Sequence, residues 1–503
     1  MRQALHILKK DIRYLRFEIA VMLVVTAAFA FIGARRAFWM DDPHANRSIA
    51  WTLVQLQLPF IWWLLIARVL HAETLLGDRQ FWITRPYIRG QLLLAKLLFF
   101  ALCVSLPMLV ADAIILGAFG LSPVEQIAGL LWTQVLLWAV VLLPVAALCS
   151  VTRGVVESFV ATFVLLLILL AWNVALPGMT LGVMWGALDW VTVYYAIGVT
   201  AVAAVAILAW QYARRRAWTS RAMAAATVVL VMGGGAAIPW TTAFAVQSHF
   251  GKKVGSPSSL HIGFDFERKW LARALVEGDR NVELEIPLHA TGLPADTELK
   301  GDGLVATMQA PDGTVWRAAK EPWTKIDAER GILSLHAQMN EDFYRKIRDR
   351  ATTLRGTLYF TLYGDGRSSS LPFDGKQVPV PGLGVCSAHN NGRQELYFLL
   401  CSFAFRPEPN QVSIRFAEGD NRGYREIEPG GPVARISYSP FPADPEISPV
   451  SQYFQYFNMQ PFRGTLSRAV IRTLEPLGHF SREFQIDDLR LGDFEVRRTR
   501  LPE

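Results

Sequence analysis

"LLGDRQFWITRPYIRGQLLLAKLLFF", residues 75–100, lies between two stretches that are too apolar to belong in water. Its first part combines charged, aromatic and proline residues, and a leucine-rich run resumes near Lys96. Membrane proteins place such segments at the bilayer surface, between two transmembrane helices. The stretch therefore predicts a helical membrane protein with a structured loop on one side of the bilayer.

The chain divides into two unlike parts. Of its 503 residues 52% are hydrophobic and 18% are charged, whereas soluble proteins average about 25% charged residues. The apolar excess lies before about residue 242, and the remainder has the composition of an ordinary globular protein. We therefore expect a membrane half followed by a water-soluble half.

The membrane half contains seven apolar windows. A bilayer core of about 30 Å requires roughly 20 residues of helix. The windows are 17–34, 50–70, 92–118, 126–150, 155–173, 190–210 and 222–241, which together predict a transmembrane domain over 17–241. The last window is rich in glycine, which is common in membrane helices because it lets them pack closely.

Residues 1–16 predict an amphipathic helix at the cytoplasmic interface. Leu5, Leu8, Ile12 and Leu15 recur at helical spacing, and the lysines and arginines lie off that stripe. The alternative is a polybasic leader that only sets the topology.

Lysine and arginine predict the orientation, because they accumulate in short cytoplasmic loops. They are frequent before the first span and in the second and sixth loops, and they are absent from the third and fifth loops. The N-terminus is therefore expected in the cytoplasm. With an odd number of spans, everything after about residue 242 is expected outside the cell membrane, in a bacterial periplasm.

The loop of the quoted stretch has features of a docking element. Pro86 disfavours helix at Arg85 and predicts a turn, and Trp82 and Tyr87 are suited to anchor the loop in the interface. A short, rigid, charged element on the cytoplasmic face can transmit force from a soluble partner. The alternative is an interfacial loop that only obeys the positive-inside rule.

The stretch resembles the first cytoplasmic loop of permease subunits of type-2 ATP-binding-cassette exporters, and the resemblance covers about residues 1–210. The matching positions are Glu73, Gly77, Phe81-Trp82, Pro86-Tyr87-Ile88-Arg89 and Leu93-Leu94-Ala95-Lys96-Leu97-Leu98. In that family the loop forms a coupling helix that inserts into a groove of the ATPase subunit. The resemblance implies polar contacts from Glu73, Asp78, Arg85 and Arg89, an apolar grip from Phe81 and Trp82, and a turn at Pro86.

This resemblance implies a permease subunit of the bacterial inner membrane, paired as a homodimer or heterodimer and driven by a separate cytoplasmic ATPase. The external domain would then bind the substrate or an envelope partner. The chain departs from the family by a seventh span and a large external domain. The alternative is therefore a non-transporting membrane scaffold or sensor whose external domain binds an envelope partner.

The absence of several sequence motifs argues against ATP-binding, metal-binding and enzymatic functions in this chain. It has no phosphate-binding loop, so ATP and magnesium are expected in the partner ATPase and no cofactor in this chain. It has no His-Glu-x-x-His zinc motif and no Gly-x-Ser-x-Gly nucleophile elbow, so neither a metal site nor an enzyme is expected. The net charge of +7 reflects the arginines of the cytoplasmic loops and does not indicate nucleic-acid binding.

Asp112 is the acidic residue expected inside a span. It follows Lys96 by 16 residues, which is roughly 24 Å along a helix and reaches the outer leaflet. Acids at such depth face the protein interior or a water-filled cavity. Asp112 is thus a candidate for lining the translocation path, unless the span ends earlier and water reaches it.

The external half predicts an all-β fold. Runs such as "NVELEIPLHA" and "RGTLYFTLYG" alternate apolar and polar residues, and Asp-Gly turns separate them. Two β-sandwich domains are expected, over 255–378 and 379–503, with a boundary near 378–384. A helix is expected over 340–350, capped by Asn340.

The external half also contains one pair of cysteines, Cys386 and Cys401, separated by fourteen residues. An extracytoplasmic compartment favours disulfides, so the two are expected to be bonded. The alternative is two buried thiols.

Overall fold

The protein, in a computed structural model, consists of a helical part up to residue 250 and a β-rich part from residue 259. The structure describes residues 2–37, 49–73, 89–175, 189–214, 216–238, 240–250, 259–264, 273–277, 281–294, 297–310, 312–319, 324–327, 332–381, 384–390, 396–405, 411–418, 448–458 and 466–497. The expected combination of a helical membrane part and a β-rich domain is confirmed.

The helices follow the apolar windows closely. They are α1 (Arg2–Tyr14), α2 (Arg16–Arg36), α3 (Ile49–His71), α4 (Arg89–Phe100), α5 (Leu106–Ala118), α6 (Ile127–Leu137), α7 (Leu143–Ser150), α8 (Val155–Ala175), α9 (Asp189–Arg214), α10 (Ala217–Ala237), α11 (Trp240–Phe250) and α12 (Glu341–Ile347). Apolar runs of this length form helices in a membrane because a helix satisfies every backbone hydrogen bond internally.

Five stretches are long and apolar enough to cross a membrane: Arg16–Arg36, Ile49–His71, Arg89–Ala118, Ile127–Ser150 and Val193–Arg214. A further apolar stretch, Val155–Ala171, is shorter. Two of the seven expected windows, 155–173 and 222–241, correspond to α8 and α10, which do not meet both requirements in the described part of the chain.

α9 and α10 form an antiparallel pair. Tyr195 donates to the Leu230 carbonyl at one end (3.1 Å), and Ser220 donates to Gln211 at the other (2.8 Å). Because α10 returns along α9, its last residues lie at the end of the bundle where α9 begins.

Two neighbouring helices are interrupted by π-helical segments, Ala101–Ser105 between α4 and α5 and Trp138–Leu142 between α6 and α7. A proline follows each segment by two residues, Pro107 and Pro144, and proline removes a backbone donor from the helix. Trp138 Nε1 donates to Ser105 Oγ over 2.8 Å, which joins the two segments side by side.

The β-rich part contains fifteen strands in three sheets over its described residues. The strands are β1 (His261–Phe264), β2 (Arg273–Glu277), β3 (Asn281–Thr291), β4 (Glu298–Gln309), β5 (Val315–Ala319), β6 (Thr324–Asp327), β7 (Ile332–Asn340), β8 (Thr352–Pro372), β9 (Val378–Val380), β10 (Gly384–Asn390), β11 (Leu396–Ala404), β12 (Gln411–Glu418), β13 (Val450–Asn458), β14 (Leu466–Leu489) and β15 (Glu495–Arg497).

The first sheet has the order β1-β3-β2-β15, with β7 beside β3. The second has the order β12-β14-β8-β4-β5, with β6 beside β4. The third has the order β13-β11-β10-β9.

The first and second sheets pack face to face as a sandwich. Leu284 and Ile286 of β3 share one core with Met308 of β4, and with Leu358 and Phe360 of β8. Leu284 and Ile286, and likewise Leu358 and Phe360, are buried at every second position of their strands, as the apolar alternation of the sequence predicts.

The strand pairing crosses the boundary expected near 378–384. β14, from beyond that boundary, pairs with β8, from before it, along almost its whole length. β15 likewise pairs in parallel with β2. Residues of the two expected domains, 255–378 and 379–503, therefore build one sandwich together, because long-range pairing and not chain order brings the strands into register.

The third sheet packs against the membrane helices. Leu400, Ala404 and Val450 belong to the same hydrophobic core as the helical bundle. Phe405 lies so close to Gly129 of α6 that a side chain at that position would collide with its ring. The third sheet thus lies at the end of the bundle where α6 begins.

Cys386 of β10 and Cys401 of β11 form a disulfide within the third sheet. They are directly opposite each other in the antiparallel register, where side chains approach closely. The bond expected from the sequence is confirmed.

The short helix α12 also agrees with the sequence. The Asn340 side chain accepts a hydrogen bond from the Asp342 amide over 2.8 Å, so Asn340 is the N-cap as expected.

Candidate functional site

The N-terminal helix α1 packs against α4 through one face. Its buried residues are Ala4, Ile7, Leu8 and Asp11. The expected stripe is divided: two of its leucines, at positions 8 and 15, are buried, whereas Leu5 is 53% exposed and Ile12 is 36% exposed. The two exposed apolar residues border the buried face and suit contact with lipid, as an interfacial helix requires.

The acid on the buried face of α1 belongs to a cluster of four charged groups. Lys96 Nζ of α4 lies 2.7 Å from Asp11 Oδ2 and 3.0 Å from Glu73 Oε2. Lys10 Nζ completes the cluster at 2.5 Å from Glu73 Oε1. The cluster is electrically balanced, since two carboxylates face two ammonium groups.

Three members of the cluster are removed from solvent. The side chains of Lys96 and Asp11 are each 1% exposed, and that of Glu73 is 5% exposed. Buried charges are stable only when they are paired and hydrogen-bonded. The cluster therefore fixes the positions of α1, of α4 and of Glu73, which lies two residues beyond the end of α3.

The two carboxylates respond differently to this environment. Burial raises the pKa of Asp11, and Lys96 does not compensate fully. Burial acts on Glu73 in the same sense, but the attraction of Lys96 and the hydrogen bond from Lys10 outweigh it, so the pKa of Glu73 lies below its usual value. Glu73 is thus the firmly ionised partner, because two ammonium groups contact it.

The loop that contains the quoted motif is held at both of its ends. At its start Glu73 is paired within the cluster. At its end Arg89 Nη1 donates to the Ala213 carbonyl over 2.7 Å, in the last turn of α9, where a helix carries partial negative charge. Gly77, Asp78, Phe81, Trp82, Arg85 and Pro86 lie outside the described residues.

A second polar network lies at the same end of the bundle. His71 Nε2 of α3 is 2.8 Å from Ser158 Oγ of α8, and Ser158 is also bonded to Thr152. Arg221 of α10 donates to Glu157 (2.8 Å) and to the Val151 carbonyl (3.0 Å). These contacts join α3, α8 and α10 at the same end of the bundle as the charged cluster.

Asp112 lies on α5, toward the opposite end of the bundle, and is 4% exposed. No hydrogen bond or ion pair joins it to another residue among those the structure describes. Its burial fits the expectation that an acid at this depth faces the protein interior. It lies far from the charged cluster along the same span, so the structure does not bring the two candidate sites together.

No group of three or more histidine, cysteine, aspartate or glutamate side chains within the described ranges is arranged to hold a metal ion. The two cysteines outside the disulfide, Cys103 and Cys149, are buried.

Sequence reasoning selected Glu73 and Arg89 but missed the partners that hold them. Asp11 and Lys96 are 85 residues apart, and no local pattern links them. One signal was available: Asp11 follows Ile7 by four residues, so an acid occupies the face of α1 on which the apolar residues recur.

No protein-family model matches the chain, and no curated protein matches it either.

Proposed function

We propose that the chain is the membrane-spanning permease subunit of an ATP-binding-cassette exporter in a bacterial inner membrane. It would cross the membrane seven times, with α1 in the cytoplasm and the β-rich domain in the periplasm. It would work as a homodimer or heterodimer with a separate ATPase subunit that supplies ATP hydrolysis. The external domain would bind the substrate or an envelope partner.

The observation that carries this proposal is the attachment of both ends of the motif-bearing loop. Glu73 is ion-paired to Lys10 and Lys96, and Arg89 is bonded to the end of α9. A loop that only marks topology needs no such attachment. A loop that transmits force needs it, because a displacement has to move helices and not merely the loop itself.

The attachments determine which helices would respond to the ATPase. The start of the loop is joined to α1 and α4, and its end to α9. Since α1 is continued by α2 after one residue, a push on the loop reaches the first, third and sixth expected spans. Chains of packed and paired groups of this kind can carry coupling across a membrane domain.

The orientation is supported by the two ends of the bundle. The end that carries α1 also carries Lys10, Lys96, Arg89 and Arg221, whereas the third sheet lies at the other end. Lysine and arginine mark the cytoplasmic side. The β-rich domain is then periplasmic, which agrees with its disulfide.

The test is whether an ATP-binding-cassette ATPase co-purifies with this chain, measured by pull-down from native membranes. We expect Asp78→Lys to weaken binding at least tenfold, because an unpaired charge in a partly buried contact costs about 2–5 kcal/mol. Glu125→Lys is the matched control, since Glu125 is exposed between α5 and α6, at the opposite end.

Glu73 is unsuitable for this test because its carboxylate is engaged within the chain, so Glu73→Lys would disturb the fold itself. If Asp78→Lys retained the ATPase as well as the wild type and the control did, the loop would not be the docking element. If no ATPase bound even the wild type, the scaffold or sensor function would take precedence. That alternative is favoured by the contact of Phe405 with Gly129, which gives the external domain a direct path to the membrane helices.

A further inference from the structure

α11 joins the membrane part to the sandwich. It follows α10 and packs on the outer face of the second sheet, where the ring of Phe244 contacts that of Tyr359 at 4.9 Å between centroids. Ala243 and Phe244 are buried there, and the partly buried Val191 from the start of α9 packs against them. Any change in how α11 lies on the sheet therefore reaches α9 and α10.

Beneath α11, four polar side chains form a continuous chain across three strands. Thr361 Oγ1 of β8 bonds Asp302 Oδ2 of β4 and lies 2.7 Å from His479 Nδ1 of β14. Gln247 Nε2 of α11 lies 3.4 Å from both ring nitrogens of His479. Asp302 is 3% exposed and Thr361 is 1% exposed.

A β-bulge explains how Asp302 reaches this row of hydrogen-bonded side chains. The register between β4 and β8 shifts between Gly301 and Gly303, and a bulge turns a side chain away from its regular face. Asp302 thereby faces Thr361 on the side of the sheet that α11 covers.

When Asp302 is ionised, all hydrogen bonds among these four side chains are donated in one direction, toward Asp302. A carboxylate only accepts, so Thr361 donates to it and accepts from His479 Nδ1–H. His479 is then neutral, and its bare Nε2 accepts from the Gln247 amide. Two buried acceptors stay unused in this arrangement, Asp302 Oδ1 and Gln247 Oε1.

The surroundings contribute little charge. The cation that acts on Asp302 is Lys300 of the same strand. The other elements packed on the chain present Phe244 and Gln247 from α11, Tyr359 and Thr361 from β8, and His479 from β14. Burial accordingly raises the pKa of Asp302 to about 6 and lowers that of His479 to about 4.

We propose that Asp302, Thr361, His479 and Gln247 form a one-proton switch between α11 and the sandwich. The added proton arrives at His479 Nε2. The Nδ1 proton then passes to Thr361, and the hydroxyl proton of Thr361 passes to Asp302. Asp302 becomes a neutral donor, His479 remains neutral with its proton on Nε2, and the site has gained one proton in total.

Uptake of the proton reverses every hydrogen bond in the chain. Asp302 donates to Thr361, Thr361 donates to His479 Nδ1, and His479 Nε2–H now requires an acceptor on α11. The unused Gln247 Oε1 supplies it after the amide turns over. The switch thus converts protonation of a buried strand residue into a changed contact with the helix that continues the membrane part.

The test compares the apparent unfolding temperature of the full chain in detergent between pH 7.5 and pH 5. The raised pKa of Asp302 means that the folded protein gains stability as pH falls through about 6. The lowered pKa of His479 means that it loses stability as pH falls below about 6.5, where the unfolded chain binds the proton. The two contributions oppose each other in the wild type.

Replacing one of the two groups leaves the contribution of the other to the pH dependence unopposed. Relative to the wild type, Asp302→Asn should become less stable on acidification and His479→Gln more stable, each by about 3 °C or more over this range. Asp312→Asn is the control, because the pKa of exposed Asp312 is about 2 and it does not titrate here. Parallel pH profiles for all four proteins would overturn the proposal.

Infrared difference spectra of the full chain provide a second measurement that does not depend on stability. Acidification from pH 7.5 to 5 should produce a protonated-carboxyl band that contains a component with a midpoint near pH 6, and Asp302→Asn should remove that component. Thr361→Val, which breaks the chain between Asp302 and His479, should shift that midpoint. A band unchanged in Asp302→Asn would place the proton elsewhere and refute the switch.

Discussion

Replacement of Lys96 by methionine is expected to destabilise the membrane half strongly. Methionine keeps the length of the side chain but removes the ammonium group that lies 2.7 Å from Asp11 and 3.0 Å from Glu73. Lys10 would remain 2.5 Å from Glu73 but 3.9 Å from Asp11, so Asp11, which is 1% exposed, would lose its hydrogen-bonded counterion. A buried carboxylate without a hydrogen-bonded partner is one of the costlier defects in a folded protein.

The size of the effect follows from these distances. Each pair of Lys96 has a gross Coulomb energy of about 5–6 kcal/mol at an effective dielectric constant of about 20. Desolvation offsets much of this, and breaking a buried pair costs about 3–5 kcal/mol. In a domain of roughly this size, 1 kcal/mol changes the unfolding temperature by about 2–4 °C. Lys96→Met should therefore lower it by about 6–20 °C.

The assay is thermal unfolding of the purified chain in detergent, with Lys9→Met as the control. Lys9 is an exposed lysine of α1, the helix that carries Asp11, and such a change usually alters stability by less than about 0.5 kcal/mol. Adding Asp11→Asn to Lys96→Met should recover part of the loss, because it removes the orphaned charge. Equal unfolding temperatures for Lys96→Met and Lys9→Met would refute a structural role for the cluster.

Three further outcomes are expected. Peptide mapping without reduction should recover Cys386 linked to Cys401, and free thiols at both positions would contradict the structure. An alkaline phosphatase fused after Glu503 should be active in the periplasm, whereas a cytoplasmic location would mean that the chain crosses an even number of times. Trp138→Phe should lower stability by about 0.5–1.5 kcal/mol in thermal unfolding, because it removes the hydrogen bond between the two π-helical segments. The control is Trp218→Phe, which changes an exposed side chain and should have no effect. Equal losses of stability in the two variants would refute the role of this hydrogen bond.

Local patterns predicted much of the fold. Asn340 followed by two acids predicted the N-cap of α12, since a side-chain acceptor there satisfies a free backbone amide. The apolar windows predicted the helices of the membrane half to within a few residues, because bilayer thickness fixes their length. Cys386 and Cys401 predicted a disulfide, because they are the two cysteines of a half expected in an oxidising compartment.

Contacts between residues that are far apart in the sequence could not be predicted in this way. Lys96 was recognised as part of a motif but not as the partner of Asp11, because the contact depends on how α1 folds back on α4. Asp302, Thr361 and His479 are 59 and 118 residues apart, and only the strand register and one bulge align them. Alternation shows which face of a strand is buried, but it does not show which strand is its neighbour.

The pairing of β8 with β14 also determines when the external half can become complete. β8 ends at Pro372 and β14 ends at Leu489, so the ribosome adds over a hundred residues between the two. At about 5–20 residues per second this interval lasts roughly 6–25 s. During it β8 has a long free edge, and such edges recruit other strands and invite aggregation. A newly made chain therefore needs this edge of β8 protected for many seconds, until β14 is available to pair with it.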